Sequence, residues 1–479
     1  MLSVAAFGAG AEELALKIYS RVPDTTRVAK HTIVAVTAPG AEASIGGEGV
    51  HVYRTGSFGA EVSLRPGENL IPVEARLGSE SARRELKVYY DTVPRQEHVY
   101  KVESEEVLYP EACYVRTRAG AYLQYGNGDD RLGGSKMGFL DEGIVLKAIG
   151  EKGSLYCVRL GEGRVAYIPK KLTGNAQAPQ PAGAVNTGSW SVADAGDADR
   201  ITVSLPRRLA YQYTTELEPS TIAVDIFGAM DNSNWITQRT AELGIVDYVD
   251  FRQVSSDIYR VIIRLKDKYQ WGFHVGYEGD GTALTIDVRH RPKSLALRDL
   301  TIGLDAGHGG EYPGAVSPSG LVEKDVNLDI VRHIQRILEA KGAKVVMTRT
   351  GDTGPSMSER KRIWREAKVD LAVSVHNNSG GGALASPGTA VLYKHLFCRP
   401  LAQAVTGRLL ETGLPLFGIV QNFNFSLNGP TEFPEVLVEG MFMSSLREEE
   451  LLADPEFRRK VAEKIVAGLE DYLRGAGKK

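Results

Sequence analysis

The chain changes texture at Leu300, and that change limits its fold more than any other feature. From residue 28 to Leu300, short runs of Val, Ile, Thr and Tyr alternate with turns rich in Gly and Pro. Beyond it, strand-like runs alternate with helical patterns. Val326, Ile330, Ile334, Ile337 and Leu338 recur at helical spacing and stop at Gly342. Such a chain reads as multidomain: three small all-β modules followed by an α/β domain with a mostly parallel sheet and helices on both faces. Its 479 residues allow that number of units.

Residues 1–27 read as an N-terminal segment. Residues 1–11 are small and apolar, like the remnant of a secretory signal without its basic start; the other reading is a disordered start leading into a helix over 12–22. Residues 28–92 read as a β-sandwich with strands at 32–36, 50–53 and 86–90. Residues 105–172 read as a small barrel. Residues 173–188, dense in Pro, Ala and Gly, read as a linker. Residues 189–293 form a third β-rich module. In 300–479 the expected strands are 301–304, 343–348, 371–375, 389–392 and 436–438. The later helices are expected at 357–367, 401–410 and 455–473.

Composition removes some functions. The net charge of -3, from 57 Lys+Arg against 60 Asp+Glu, gives no reason to expect nucleic acid as partner. No apolar run reaches the ~18 residues of a membrane span, so no integral span is expected. Cys113, Cys157 and Cys398 are too dispersed for a zinc knuckle or redox pair. A Cys113–Cys157 bridge stays open beside the favoured reading of two buried thiols.

Open α/β sheets gather their sites at the carboxyl ends of strands. His308 follows the first strand of the α/β domain in DAGHGG. His376 ends the third in SVHNN, and Glu439 ends a late one in PEVLVEG. Glu323 opens the first helix. Two imidazoles and a carboxylate suit zinc and leave one coordination position open. Singly, each has a plainer reading: a structural or exposed histidine, a helix-start acid favoured by the dipole, a strand-end acid capping a loop. Their conjunction is the signal. Asn377 and Asn378 adjoin His376 and either bond substrate or shape the turn. His395 reads as an exposed loop residue, with a substrate contact as the other reading, and His333 as solvated.

The segments LDAGHGG, YPGAVSPSGLVEKDVNL, VVMTRTGD, LAVSVHNN and PEVLVEGMF stand in this order over 300–475. In this they resemble the zinc-dependent N-acetylmuramoyl-L-alanine amidases of bacterial cell walls, which have a phosphorylase/hydrolase-like α/β fold. The resemblance implies zinc held by His308, Glu323 and His376, and Glu439 as general base and then acid. It implies peptidoglycan as substrate, cut between the lactyl carbonyl of N-acetylmuramic acid and L-alanine, and a place in the cell envelope, periplasmic or secreted. Upstream, 28–92 resembles immunoglobulin-like modules, 105–172 the bacterial Src-homology-3-type barrel, and 189–293 the AMIN-type envelope module. Three positions depart from the family pattern: Ala306 for Pro, Ser445 for Asn, and Trp364 for a small residue.

Two other functions compete. One is a wall-binding scaffold without catalysis; the other is a zinc peptidase acting within the stem peptide. Some family members carry a helix that blocks the zinc. Here 414–433 holds Pro415, Gly418, Gly429 and Pro430, too many breakers for such a helix. Phe423 and Phe425 then either line the groove or pack onto the domain. The expectation is an open zinc face and an isolated 300–479 domain that works without an activator, the β modules governing placement. No protein activator is identifiable from sequence.

Overall fold

The computed structural model describes residues 14–93, 105–128, 134–233, 235–421 and 424–478. The signal-like 1–11 segment and Phe423 lie outside them. In the first unit, Leu16–Ile18, Lys30–Thr37 and Ser57–Ser63 form one sheet, and five strands between Thr25–Thr26 and Glu80–Tyr90 form another. Ile33, Phe58, Ile71, Val73 and Val88 fill the space between them. The helix expected over 12–22 is instead, where described, the strand Leu16–Ile18, paired with Ala35–Thr37. Leu14 and Leu16 are buried two residues apart, which is a strand's period.

A seven-stranded sheet runs from Val107–Thr117 to Thr173–Ala176. The expected linker 173–188 is therefore partly structure. Thr173–Ala176 pairs with Tyr114–Thr117, and Val185–Asn186 pairs with Ala229–Met230, because Thr173 and Val185 bury their side chains. Cys113 and Cys157 lie on strands separated by Val145–Lys152 and stay unbridged; Cys113 is exposed. The third unit holds a five-stranded and a four-stranded sheet.

In the last unit six strands lie in the order Lys344–Met347, Thr301–Ala306, Leu371–Asn378, Glu435–Phe442, Thr389–Leu392, Leu416–Val420. The first four are mutually parallel. Thr389–Leu392 runs antiparallel to Glu435–Phe442, and Leu416–Val420 follows it in parallel. The helices are α1 (Glu323–Ala340), α2 (Met357–Glu366), α3 (Arg399–Leu410), α4 (Leu446–Ala453) and α5 (Pro455–Gly477). Two elements were not anticipated: the edge strand Leu416–Val420, and α4. Ser445, one of the departures from the family pattern, caps α4 by accepting the Glu448 N–H at 3.3 Å. Trp364, another, is fully buried edge-on against Phe433.

One apolar core runs unbroken from Val115 to Ala476, across the second, third and last units. Phe273 meets Phe397 at 6.0 Å, and Tyr269 and Trp271 meet Tyr472 of α5 at 5.6 and 5.8 Å. The first unit keeps its own core and joins the last through an Arg54–Glu450 ion pair (3.2 Å) and a Tyr19 hydroxyl donating to the Val316 carbonyl (2.9 Å). The expectation of a self-sufficient 300–479 domain thus meets a core that does not end at residue 300. No helix among the described residues is long and apolar enough to cross a membrane.

Candidate active site

The carboxyl ends of the parallel strands bring His308, Glu323, His376 and Glu439 to one cavity of about 760 Å³. Glu323 sits at its centre. Its Oε1 lies 3.1 Å from His308 Nε2 and 3.2 Å from His376 Nδ1. One ligand atom from each of the three falls within 4.8 Å of the others. Glu439 is the register partner of His376 on the adjacent strand, so both side chains point to the same face. A break in register just after His376 turns the strand at this point.

The surroundings fix these groups. Ala315 N–H donates to Glu323 Oε2 at 2.8 Å, while Asn327 Nδ2 and the Asn377 N–H donate to Oε1 at 3.2 Å. Gly314, at φ 73°, passes so close to Glu323 and His308 that any Cβ there would collide with both. His308 itself holds φ 62°, a left-handed conformation that costs a non-glycine residue of order 1–3 kcal/mol and survives only where neighbours impose it. Here two arginines do so. Arg349 donates to the carbonyls of Ala306 (2.8 Å) and Gly307 (3.1 Å), and Arg360 to that of His308 (2.7 Å).

Arg360 also pairs with the buried Asp305 at 2.6 Å, and Ser374 and Thr348 donate to the same carboxylate. Burial acts to raise the Asp305 pKa, yet Arg360 and these donors hold it below the ordinary value. Arg360→Met leaves that carboxylate without its cation. It should lower the unfolding free energy by about 3–5 kcal/mol, read in urea. Unchanged stability would show that the pair carries no weight.

Electrostatics separate the two glutamates. Burial works to raise Glu323, but hydrogen bonds and charge from His308 and His376 outweigh it and hold the carboxyl well below its usual range. Glu439 has no such support. Burial pushes it up to about 7, against the pull of His376, and its buried Oε2 has no hydrogen-bond partner. His376 is raised: burial acts downward, but Glu323, Glu439 and Asp305 prevail. Two imidazoles facing this much negative charge, with both their nitrogens and a carboxylate oxygen converging, are a donor set that fits one zinc ion. The raised Glu439 carboxyl in the same cavity suits a proton carrier.

Other anticipated residues fare differently. Asn377 is spent internally: Nδ2 donates to Asn327 Oδ1 at 2.8 Å and Oδ1 accepts the Met441 N–H at 3.2 Å. It lines the cavity as well. Asn378 lines the cavity half-buried, its Oδ1 accepting the Ser379 N–H. His395 is no exposed loop residue. It stacks on Phe397, bonds the Gly429 carbonyl at 3.0 Å, and burial pushes it down to about 4. His333 is half-buried between Asp329 and Arg336 rather than solvated. Asn327, Arg349 and Arg360 were not singled out from sequence. Asn327, one helical turn after Glu323, and Arg349 both lie inside the quoted motifs, whereas nothing near Arg360 marks it. Among the described residues one further His/Asp group forms, Asp194, Asp199 and His290. Both oxygens of Asp199 already accept from the N–H groups of residues 244–246 and from His290, which makes it a structural knot.

Comparison with known proteins bears on the same unit. A family model described as N-acetylmuramoyl-L-alanine amidase matches residues 302–471. Protein YqiI of Bacillus subtilis (strain 168) is 32% identical over 199 residues, covering 40% of this chain and 93% of that protein. The probable cell wall amidase LytH of Staphylococcus aureus is 33% identical over 194 residues, and the match spans 40% of this chain and 65% of LytH. The crystal structure of N-acetylmuramoyl-L-alanine amidase from Clostridium difficile 630 is 31% identical and covers 37% of this chain and 98% of its own, with a TM-score of 0.36. The C-terminal unit is thus a cell-wall hydrolase domain. The chain belongs to the N-acetylmuramoyl-L-alanine amidase family.

Proposed function

We propose that the chain is a zinc-dependent peptidoglycan amidase of the cell envelope. It cuts the amide between N-acetylmuramic acid and L-alanine, with His308, Glu323 and His376 as zinc ligands and Glu439 as proton carrier. The observation that carries this reading is the convergence of the three donors and Glu439 on one cavity. Zinc bound there supplies a Lewis acid that brings water within reach of ionisation near neutral pH and polarises the scissile carbonyl. Glu439 takes the proton of the attacking water on its carboxylate and returns it to the departing amine. Asn327 and Asn377 keep Glu323 in place, and the Arg349 and Arg360 clamp keeps His308 turned into the cavity. Among the described residues, neither α3 nor the Leu416–Val420 strand lines the cavity, which supports an open zinc face. Upstream, the paired sheets of the first unit support an immunoglobulin-like module. The seven-stranded unit supports a Src-homology-3-type barrel, and the third unit an AMIN-like module.

Digestion of purified peptidoglycan followed by mass spectrometry tests the reaction: free stem peptides with an L-alanine amino terminus are expected. Cleavage inside the stem would make the protein a zinc peptidase, and no cleavage a scaffold. The purified protein should carry about one zinc per chain by elemental analysis, and His376→Ala should lose both metal and activity. An active sample without metal would refute the zinc assignment.

A further inference from the structure

One wall of the cavity is a loop, 424–433, that presents Phe425, Ser426 and Leu427 to the site. Its outer side is held by the two β units that precede the α/β domain. Asn424 accepts the Lys136 N–H at Oδ1 (3.2 Å) and donates from Nδ2 to the Gly134 carbonyl (2.9 Å). Both partners belong to the barrel-like unit. At the loop's other end, the Phe273 N–H donates to the Thr431 carbonyl (2.7 Å). Beside it Gly272, at φ 111°, lies so close to the Glu432 backbone that a side chain there would strike it. Both of these belong to the third unit. The α/β domain holds the same loop from within: Asn428 bonds Glu435 (2.9 Å), His395 bonds the Gly429 carbonyl (3.0 Å), Arg365 pairs with Glu432 (2.6 Å), and Phe433 packs on Trp364. Fixing an irregular segment costs conformational entropy for every residue ordered. Here two β units outside the α/β domain add to that ordering, the barrel-like unit at Asn424 and the third unit at Thr431.

We propose that the barrel-like and third β units are working parts of the substrate groove. They set the 424–433 wall so that Phe425 and Leu427 grip the apolar portion of the peptide beside the reacting amide, and Asn424 is the positioning residue through which the barrel acts. This inference rests on the amidase reading. Asn424 bonds outward to Lys136 and Gly134 of the barrel-like unit, so its removal should weaken binding and leave the chemical step alone.

The test uses the full chain and a soluble muramoyl-peptide. Asn424→Ala should raise KM roughly three- to tenfold with kcat within about twofold and zinc content unchanged. Phe425→Ala should raise KM similarly, and the double variant should add little to Phe425→Ala, since the two act through one wall. Asn424→Asp, which keeps the acceptor for Lys136, should recover part of the loss. A residue of merely structural weight would lower the thermal midpoint without moving KM, and that result, or fully additive effects, would overturn the proposal. The dissociation constant of the same muramoyl-peptide, measured in a Glu439→Gln background, gives a readout independent of turnover. If the wild type releases no stem peptide, the amidase reading fails. The wall inference still stands or falls on whether Asn424→Ala weakens that binding.

Discussion

Glu439→Gln should keep its zinc and lose nearly all turnover. Glutamine matches glutamate in shape, so no cavity opens and His376 keeps its neighbour. The amide cannot accept a proton from water or hand one to the leaving amine, and proton transfer of this kind is worth about 10²–10⁴-fold in rate. Stability should hold or rise. Glu439 is buried, with one oxygen partnerless, and replacing a desolvated acid by a neutral group removes a burial cost. Turnover, zinc content and unfolding midpoint measured on one preparation check all three. A variant retaining more than about a tenth of the activity would show that another group moves the proton.

The four residues that converge on the cavity were legible because each sits at a strand end or helix start inside a segment with its own signature. What was illegible was whatever depends on distant contacts. Nothing in the sequence singles out Arg360, and only the fold places it on Asp305 and the His308 carbonyl. His395 reads as exposed, because nothing nearby in sequence announces that Phe397 and Tyr213 will cover it. The Leu416–Val420 strand follows Pro415 and contains Gly418, and its residues stay largely exposed, so it lacks a buried face to give it a period. By contrast α4 was missed although its signal was present: Ser445 followed by Glu448 is a helix-start pattern. The β units showed their strands, but not that their apolar residues continue into the core of the last unit.

That shared core carries the second large prediction, which reverses the expectation drawn from sequence. The fragment 300–479 should be poorly soluble and weakly active, whereas 105–479 should fold, bind zinc and work. Cutting at residue 300 strips Phe273 from Phe397, Tyr269 and Trp271 from Tyr472, and Tyr213 from His395. It also removes Arg289, which pairs with Asp370 at 2.7 Å and donates to the Val369 carbonyl at 2.6 Å, at the entry to the His376 strand. Each large apolar side chain returned to water costs about 1.5–3 kcal/mol. Several together rival the 5–15 kcal/mol by which a typical domain is stable. The surface left behind is aromatic and contiguous, which favours aggregation. Sedimentation, cooperative unfolding in urea and stem-peptide release should separate the two fragments. A monomeric 300–479 with the unfolding midpoint and turnover of the full chain would show that the core divides at residue 300 after all. It would return the upstream units to the role of placement alone.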